Sequence, residues 1–148
     1  MPNEYGIYDQ GRVVVEYWSG DLSFKDLVEH QQDQDRDQQI ANRHMTIVDF
    51  RDCDTDITEL EVRAFADVFQ DKRYHGPHHR MALLLKNEDW ELGNVYSTQA
   101  WGKQITVLAF QSLEAACTWL ALDAVNIQTK LNELKLNLKN KNKIEHVI

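Results

Sequence analysis

Met45-Thr46-Ile47-Val48-Asp49-Phe50, followed past the loop Arg51–Asp56 by Ile57-Thr58-Glu59-Leu60-Glu61-Val62, decides the fold. The first six residues are apolar on both faces, as in a strand covered on both sides of a sheet. Thr58 and Glu61 then have the spacing of a capping box, and Ile57 and Val62 that of the hydrophobic staple around it. Val62, Phe65, Ala66 and Phe69 mark one apolar face of the helix that follows. A doubly buried strand leading into an amphipathic helix is the repeating unit of an α/β sheet.

The flanking sequence repeats this unit. Upstream, Tyr5 and Ile7 share a face, Asp9-Gln10-Gly11 reads as a turn, and Val13, Val15 and Tyr17 share a face. That is a hairpin running into Trp18-Ser19-Gly20. Ser23 is a helix N-cap with Asp26 in the capping-box position, and Leu22 and Leu27 form the staple. The helix turns very polar from Gln31 to Asp37, so its far end is expected to be exposed or frayed. Downstream, a loop with His75, His78 and His79 leads to the strand Met81–Leu85. Asn87 is placed to cap a helix ending near Gly102, Ile105–Phe110 is the last strand, and Ser112 caps the last helix. The predicted order is β-β-α-β-α-β-α-β-α, a mostly parallel sheet with an antiparallel N-terminal hairpin and a long C-terminal helix.

In that last helix, Leu113, Cys117, Leu120, Ala124, Ile127, Leu131, Leu134 and Leu138 alternate in steps of four and three, a heptad seam. Unbroken from Ser112 to Leu138 it would span roughly 40 Å, more than a small domain covers. Two readings follow. Residues 124–148 are a lysine-rich helical extension that pairs with a partner or a second copy through Ile127, Leu131, Leu134 and Leu138, beside a domain over 1–123. Alternatively, the helix breaks near Asp123-Ala124 and folds back on its own domain.

With 148 residues, 43% of them apolar and 27% charged, the chain can bury a sizeable core. No apolar run is long enough to span a membrane. The stretch Met1–Tyr5 has neither a basic nor an apolar leader region, so no secretory signal is expected. Two cysteines, Cys53 and Cys117, fit a reduced, cytoplasmic setting. Residues 124–148 hold five lysines against two acids, and the other 123 residues hold 11 bases against 22 acids. So acidic a body disfavours nucleic acid as a partner.

Asp49, Asp52, Asp54 and Asp56 gather at the carboxyl end of the third strand, where open α/β sheets bind ligands. A calcium loop would need glycine at Ile57 and an acid at Arg63. An aspartate-nucleophile phosphatase would need a second aspartate where Arg51 stands. A looser metal-assisted hydrolase site built on the four aspartates is the alternative reading; a solvated acidic loop is the plain one. Lys72, Arg73, His78, His79 and Arg80 form the densest positive stretch of the domain, a candidate anion pocket. His75 and His79 could also contribute to a metal site, although Pro77 breaks their helical spacing. Trp90 and Trp101 are candidates for lining a cleft. Cys117 lies in an apolar seam and Cys53 among acids, neither of which suits a nucleophile. There is no Gly-x-Ser-x-Gly elbow, phosphate-cradling glycine loop or Cys-x-x-Cys, and no cofactor is expected.

Three stretches resemble the SpoIIAA-like family of the STAS superfamily, the fold of anti-sigma-factor antagonists. They are Tyr17-Trp18-Ser19-Gly20-Asp21-Leu22-Ser23, the strand ending Ile47-Val48-Asp49, and Val107-Leu108-Ala109-Phe110-Gln111-Ser112-Leu113 with the Ala115-Ala116-Cys117-Thr118-Trp119-Leu120 that follows. The resemblance covers about residues 5–122. It implies a non-enzymatic, cytoplasmic α/β domain that binds a protein partner or a small apolar or anionic ligand; likeness to CRAL-TRIO lipid-binding domains is also seen in such folds. Antagonists of this family carry a phosphorylated serine where this chain has Arg51–Thr58, which contains Thr55 and Thr58 but no serine. Aspartates beside either threonine would repel a phosphate, so the resemblance does not extend to a kinase-driven switch.

Overall fold

The structure, a computed structural model, describes residues 2–37, 39, 44–69, 78–101 and 105–147. The strands are β1 (Asn3–Tyr8), β2 (Val13–Leu22), β3 (Met45–Thr55), β4 (His79–Leu84) and β5 (Ile105–Phe110). The helices are α1 (Phe24–Arg36), α2 (Glu59–Phe69), α3 (Trp90–Ala100), α4 (Leu113–Leu120) and α5 (Ala124–Val147). One sheet runs β1-β2-β3-β4-β5, with β1 antiparallel to β2 and the other neighbours parallel. Because the parallel strands follow one another in sequence, right-handed crossovers put α1, α2 and α3 on the same face. α4 and α5 cover the other.

Three of the four capping signals hold. Asp26 N–H donates to Ser23 Oγ at 3.1 Å and Ser23 N–H to Asp26 Oδ2 at 3.0 Å. Thr58 and Glu61 exchange the same pair of bonds, and Ala115 N–H donates to Ser112 Oγ. In the hairpin turn Asp9, Gln10 and Gly11 all have positive φ. A Cβ on Gly11 would stand 2.5 Å from the Gln39 carbonyl oxygen, so only glycine fits there.

Two expectations are corrected, and one alternative is decided. β3 does not end at Phe50: Ser19 to Leu22 extend β2 and pair with Asp52 to Thr55, past a bulge where two steps along β2 match three along β3. Asn87 does not cap α3; it opens a single 3₁₀ turn, and its side chain accepts a bond from Gln111. Gly102 lies outside the described residues. Third, the last helix is broken, with Ala121 in the left-handed conformation between α4 and α5.

That break lets α5 fold back. Ile127, Leu131, Leu134 and Leu138 are each at most 4% exposed, packed with Val13, Val15 and Tyr17 of the same chain's sheet. The proposed oligomer interface is therefore an intramolecular one: the seam that would pair with another helix is used up on β2. Three of the tail's five lysines are spent at home as well. Lys130 sits 4.0 Å above the Tyr8 ring, Lys135 lies over Tyr17, and Lys141 pairs with Glu4 at 2.6 Å. Stems of this kind lie along apolar surface while their charged heads meet aromatic faces and carboxylates. No helix among the described residues is long and apolar enough to cross a membrane.

Candidate functional site

The four aspartates do not converge. Asp49 is buried and clamped by its own neighbour: Arg51 donates from its backbone N–H and Nε to Oδ1 and from Nη2 to Oδ2, all at 3.0 Å. Asp52 accepts the Tyr17 hydroxyl at 2.6 Å, and burial followed by that bond pushes the phenol's pKa up. Asp54 is exposed and takes Lys86 Nζ at 2.6 Å, while Asp56 faces solvent. Among the described residues no three histidine, cysteine or acidic side chains come together in a way that could hold a metal ion. The reason is the longer β3, which spreads the residues over a pleated, bulged strand and gives the first three local donors. The hydrolase reading has no site.

The positive stretch is likewise split by strand geometry. Arg73, like Lys72 and His75, lies outside the described residues. Successive residues of β4 project to opposite faces. His79 is buried on the α1–α3 side, with Nε2 2.8 Å from Thr46 Oγ1. Arg80 turns to the α4 side, where it donates to the Trp119 carbonyl at 2.9 Å and lies over that indole. His78 is exposed beside Thr106. No anion pocket forms among these three. Trp90 packs at the start of α3, whereas Trp101 follows its end and is 82% exposed. Eleven residues of helix separate them by roughly 16 Å, so they do not share a cleft.

The structure instead assembles a site for which none of its polar residues was a candidate. Between the sheet and α1, α2 and α3 lies a cavity of about 120 Å³. Trp18 of β2, Val48 and Phe50 of β3, Met81 and Leu83 of β4, Leu27 of α1, Val62 and Phe65 of α2, and Leu92 and Tyr96 of α3 form its apolar wall. Gly93 lets α3 approach, since a Cβ there would meet Leu85 and Ala109.

One part of the wall is polar. Glu16, only 4% exposed, accepts from Gln34 Nε2 at 2.8 Å and, at a long 3.4 Å, from Trp18 Nε1. His30 Nε2 stands 2.8 Å from the same carboxylate, and the imidazole meets the rings of Trp18 and Tyr5 edge-on at 4.9 and 5.6 Å. Tyr5 in turn donates to Asp37 at 2.8 Å; burial, then that bond, pushes its phenol up to about 12. A buried carboxylate persists only where donors replace its water, and here β2 supplies the acid and the Trp18 indole, and α1 the Gln34 amide. The polar end of α1 is thus not frayed: His30, Gln31 and Gln34 continue the inward face begun at Leu27. The signal was present as Leu27, His30, Gln31 and Gln34 at helical spacing, and as a lone glutamate inside Val13–Trp18.

Cys53 also lines the cavity. Burial, then Asp49 and Asp52, push its thiol up to about 12. The proton stays on sulfur across the ordinary pH range, so no thiolate nucleophile is offered. Cys117 is buried on the opposite face, and its thiol is raised by burial too. At pH 8 the folded protein is expected to leave both thiols unmodified by Ellman's reagent over an hour, and denaturant to release two equivalents. Rapid labelling of Cys53 without denaturant would show that the wall of the cavity opens to solvent.

No protein-family model matches the sequence, and no curated protein does. The structure is similar to that of an uncharacterized DUF3478-family protein with a SpoIIAA-like fold from Shewanella loihica PV-4. The two align with a TM-score of 0.52 at 14% identity, over 80% of this chain and 93% of that one. The likeness establishes the architecture: this chain has a SpoIIAA-like fold.

Proposed function

We propose that this chain is a non-enzymatic binding domain that takes one small, largely apolar molecule into the cavity between the sheet and α1–α3. The observation that carries the reading is the cavity itself. At roughly 24 cal/mol per Å³, an empty volume of this size forgoes on the order of 3 kcal/mol of packing, a large share of a small domain's stability. A tolerated void with an apolar wall and a few convergent polar groups is the usual form of a ligand site. Its volume is close to the ~150 Å³ that suffices for a benzene ring in an engineered cavity, which sets the ligand at about one six-membered ring with a short substituent. Two free, buried cysteines on opposite faces of the sheet fit a reducing, cytoplasmic setting.

Single-ring compounds are expected to raise the melting temperature of the full chain and to change its tryptophan fluorescence, because Trp18 lines the cavity. Val48 stands on the sheet floor of the cavity. In Val48→Phe the ring occupies the ligand's volume, so melting should stay level or rise by a few degrees while the ligand response disappears. Either no response from any ring compound in the parent, or an unchanged response in Val48→Phe, would refute the cavity as the site.

A further inference from the structure

We propose that Ala121-Leu122-Asp123 is a hinge through which two copies of this chain exchange α5, each α5 docking on the other copy's β1 and β2. Three observations meet there. The turn that folds α5 back rests on an alanine at φ 57°, ψ 41°, the left-handed position that glycine ordinarily fills after a helix. A residue with a Cβ gives up roughly five- to thirty-fold in population there relative to the right-handed helix. Ala121 is exposed, so its own side chain does not hold the turn. The Leu122 N–H, bonded to the Cys117 carbonyl at 2.9 Å, and Asp123 Oδ1, which accepts from the Val125 N–H at 3.2 Å, do so instead. Next, no glycine or proline interrupts Leu113 to Val147, and Ala121 and Leu122 are good helix formers. With Ala121 right-handed, α4 and α5 run on as one helix of roughly 50 Å. Finally, the apolar spacing stays in phase across the turn. Leu113, Cys117 and Leu120 lie on the core beneath α4, and Ala124, Ile127 and Leu131 continue the same alternation of four and three. A broken helix has no need of that phase. A continuous one keeps the docking stripe of α5 in line with α4 and carries it out to a second copy.

In the exchanged pair every contact of α5 is made again between chains: Leu131 and Leu138 on β2, Lys130 over Tyr8, Lys141 with Glu4. The pair keeps the whole interface and sheds two left-handed alanines, the usual economy of domain swapping. Against it stands the tether, which gives α5 an effective concentration of roughly millimolar at its own sheet. Loss of the Leu122 bond and of the Asp123 cap offsets part of the hinge relief. The fold-back monomer is therefore the form in dilute solution, and the pair emerges as the chain approaches roughly hundreds of micromolar.

The test opens the full chain in mid-transition urea at about 1 mM, the effective concentration to be matched, returns it to buffer and sizes it by chromatography with light scattering. A dimer should appear beside the monomer. Ala121→Gly removes the left-handed cost and weakens the continuous helix, so it should lower the dimer-to-monomer ratio about ten-fold. Ala121→Val, whose branched Cβ suits the left-handed region least, should raise the ratio. Neither change touches the docking stripe. To show exchange directly, Glu4→Cys chains and Lys141→Cys chains are refolded together and treated with a short bis-maleimide, both native cysteines being buried. The pair that Lys141 and Glu4 make within one chain should then be captured between unlike chains in the dimer fraction. A dimer without that cross-link would be a surface association and would overturn the proposal. So would a dimer fraction that Ala121→Gly leaves unchanged, or the absence of any dimer from the parent. The parent, the glycine variant and the cross-link decide the question even if Ala121→Val does not fold.

Discussion

Glu16→Ala is expected to destabilise the protein by about 3 kcal/mol or more, among the largest losses any single side chain outside the apolar core can cause. The carboxylate is 4% exposed and is met by Gln34, His30 and Trp18. Removing it does not simply delete hydrogen bonds. It leaves donors on α1 and β2 facing an apolar space, each costing about 1–3 kcal/mol of unrecovered hydration. The effect should also be strongly non-additive. Converting the cluster as a unit, with Glu16→Met, His30→Leu and Gln34→Met together, should recover most of the stability. Urea denaturation of the parent, the single variant and the triple variant measures both. A loss under about 0.5 kcal/mol for Glu16→Ala would mean that water reaches the carboxylate freely, because exposed polar contacts are worth no more than that.

Leu131→Ala should cost about 3 kcal/mol, within the 2–5 kcal/mol range for deleting a buried leucine side chain from a core that only partly collapses. Leu131 is 0% exposed and packed among α5, α4 and the inner face of β2. The destination of its contacts gives the experiment a second readout. Since the partner surface belongs to the same chain, the unfolding midpoints of parent and variant should not move over a hundred-fold change in protein concentration. Midpoints that rise with concentration would place the seam between chains, as the heptad spacing by itself allowed.

The pattern of strands and helices was legible because it is written in local periodicity and capping. Thr58 with Glu61, Ser23 with Asp26, and the doubly apolar Met45–Phe50 each fix their element from within ten residues, and the strand order follows from the connection rules. The polar site was not legible, although its parts were. Glu16 reads as an interruption in an apolar strand, and Gln31–Asp37 as the wet end of a helix. Only the crossover from β2 to α1, which lays the helix back over its own strand, turns two apparent exposures into one buried contact. The conspicuous clusters failed because neighbours in sequence are not neighbours at a site: the pleat sends His79 and Arg80 to opposite faces, and the length of β3 gives Asp49, Asp52 and Asp54 separate partners in Arg51, Tyr17 and Lys86.

By itself, then, the sequence determined the α/β class, the antiparallel first hairpin, the caps that start α1, α2 and α4 and the spacing of the α5 seam, all of which depend on interactions within a turn or two of chain. Tertiary structure decided what those elements meet. It decided that Ala121 turns α5 back so that Leu131 and Leu138 bury on β2 rather than on another molecule, that Lys130, Lys135 and Lys141 rest on Tyr8, Tyr17 and Glu4, and that Glu16 faces His30 and Gln34 beside an unfilled volume. A cavity and a buried charge depend on distances between residues far apart in the chain, and periodicity records only which face a residue is on, not what stands opposite it.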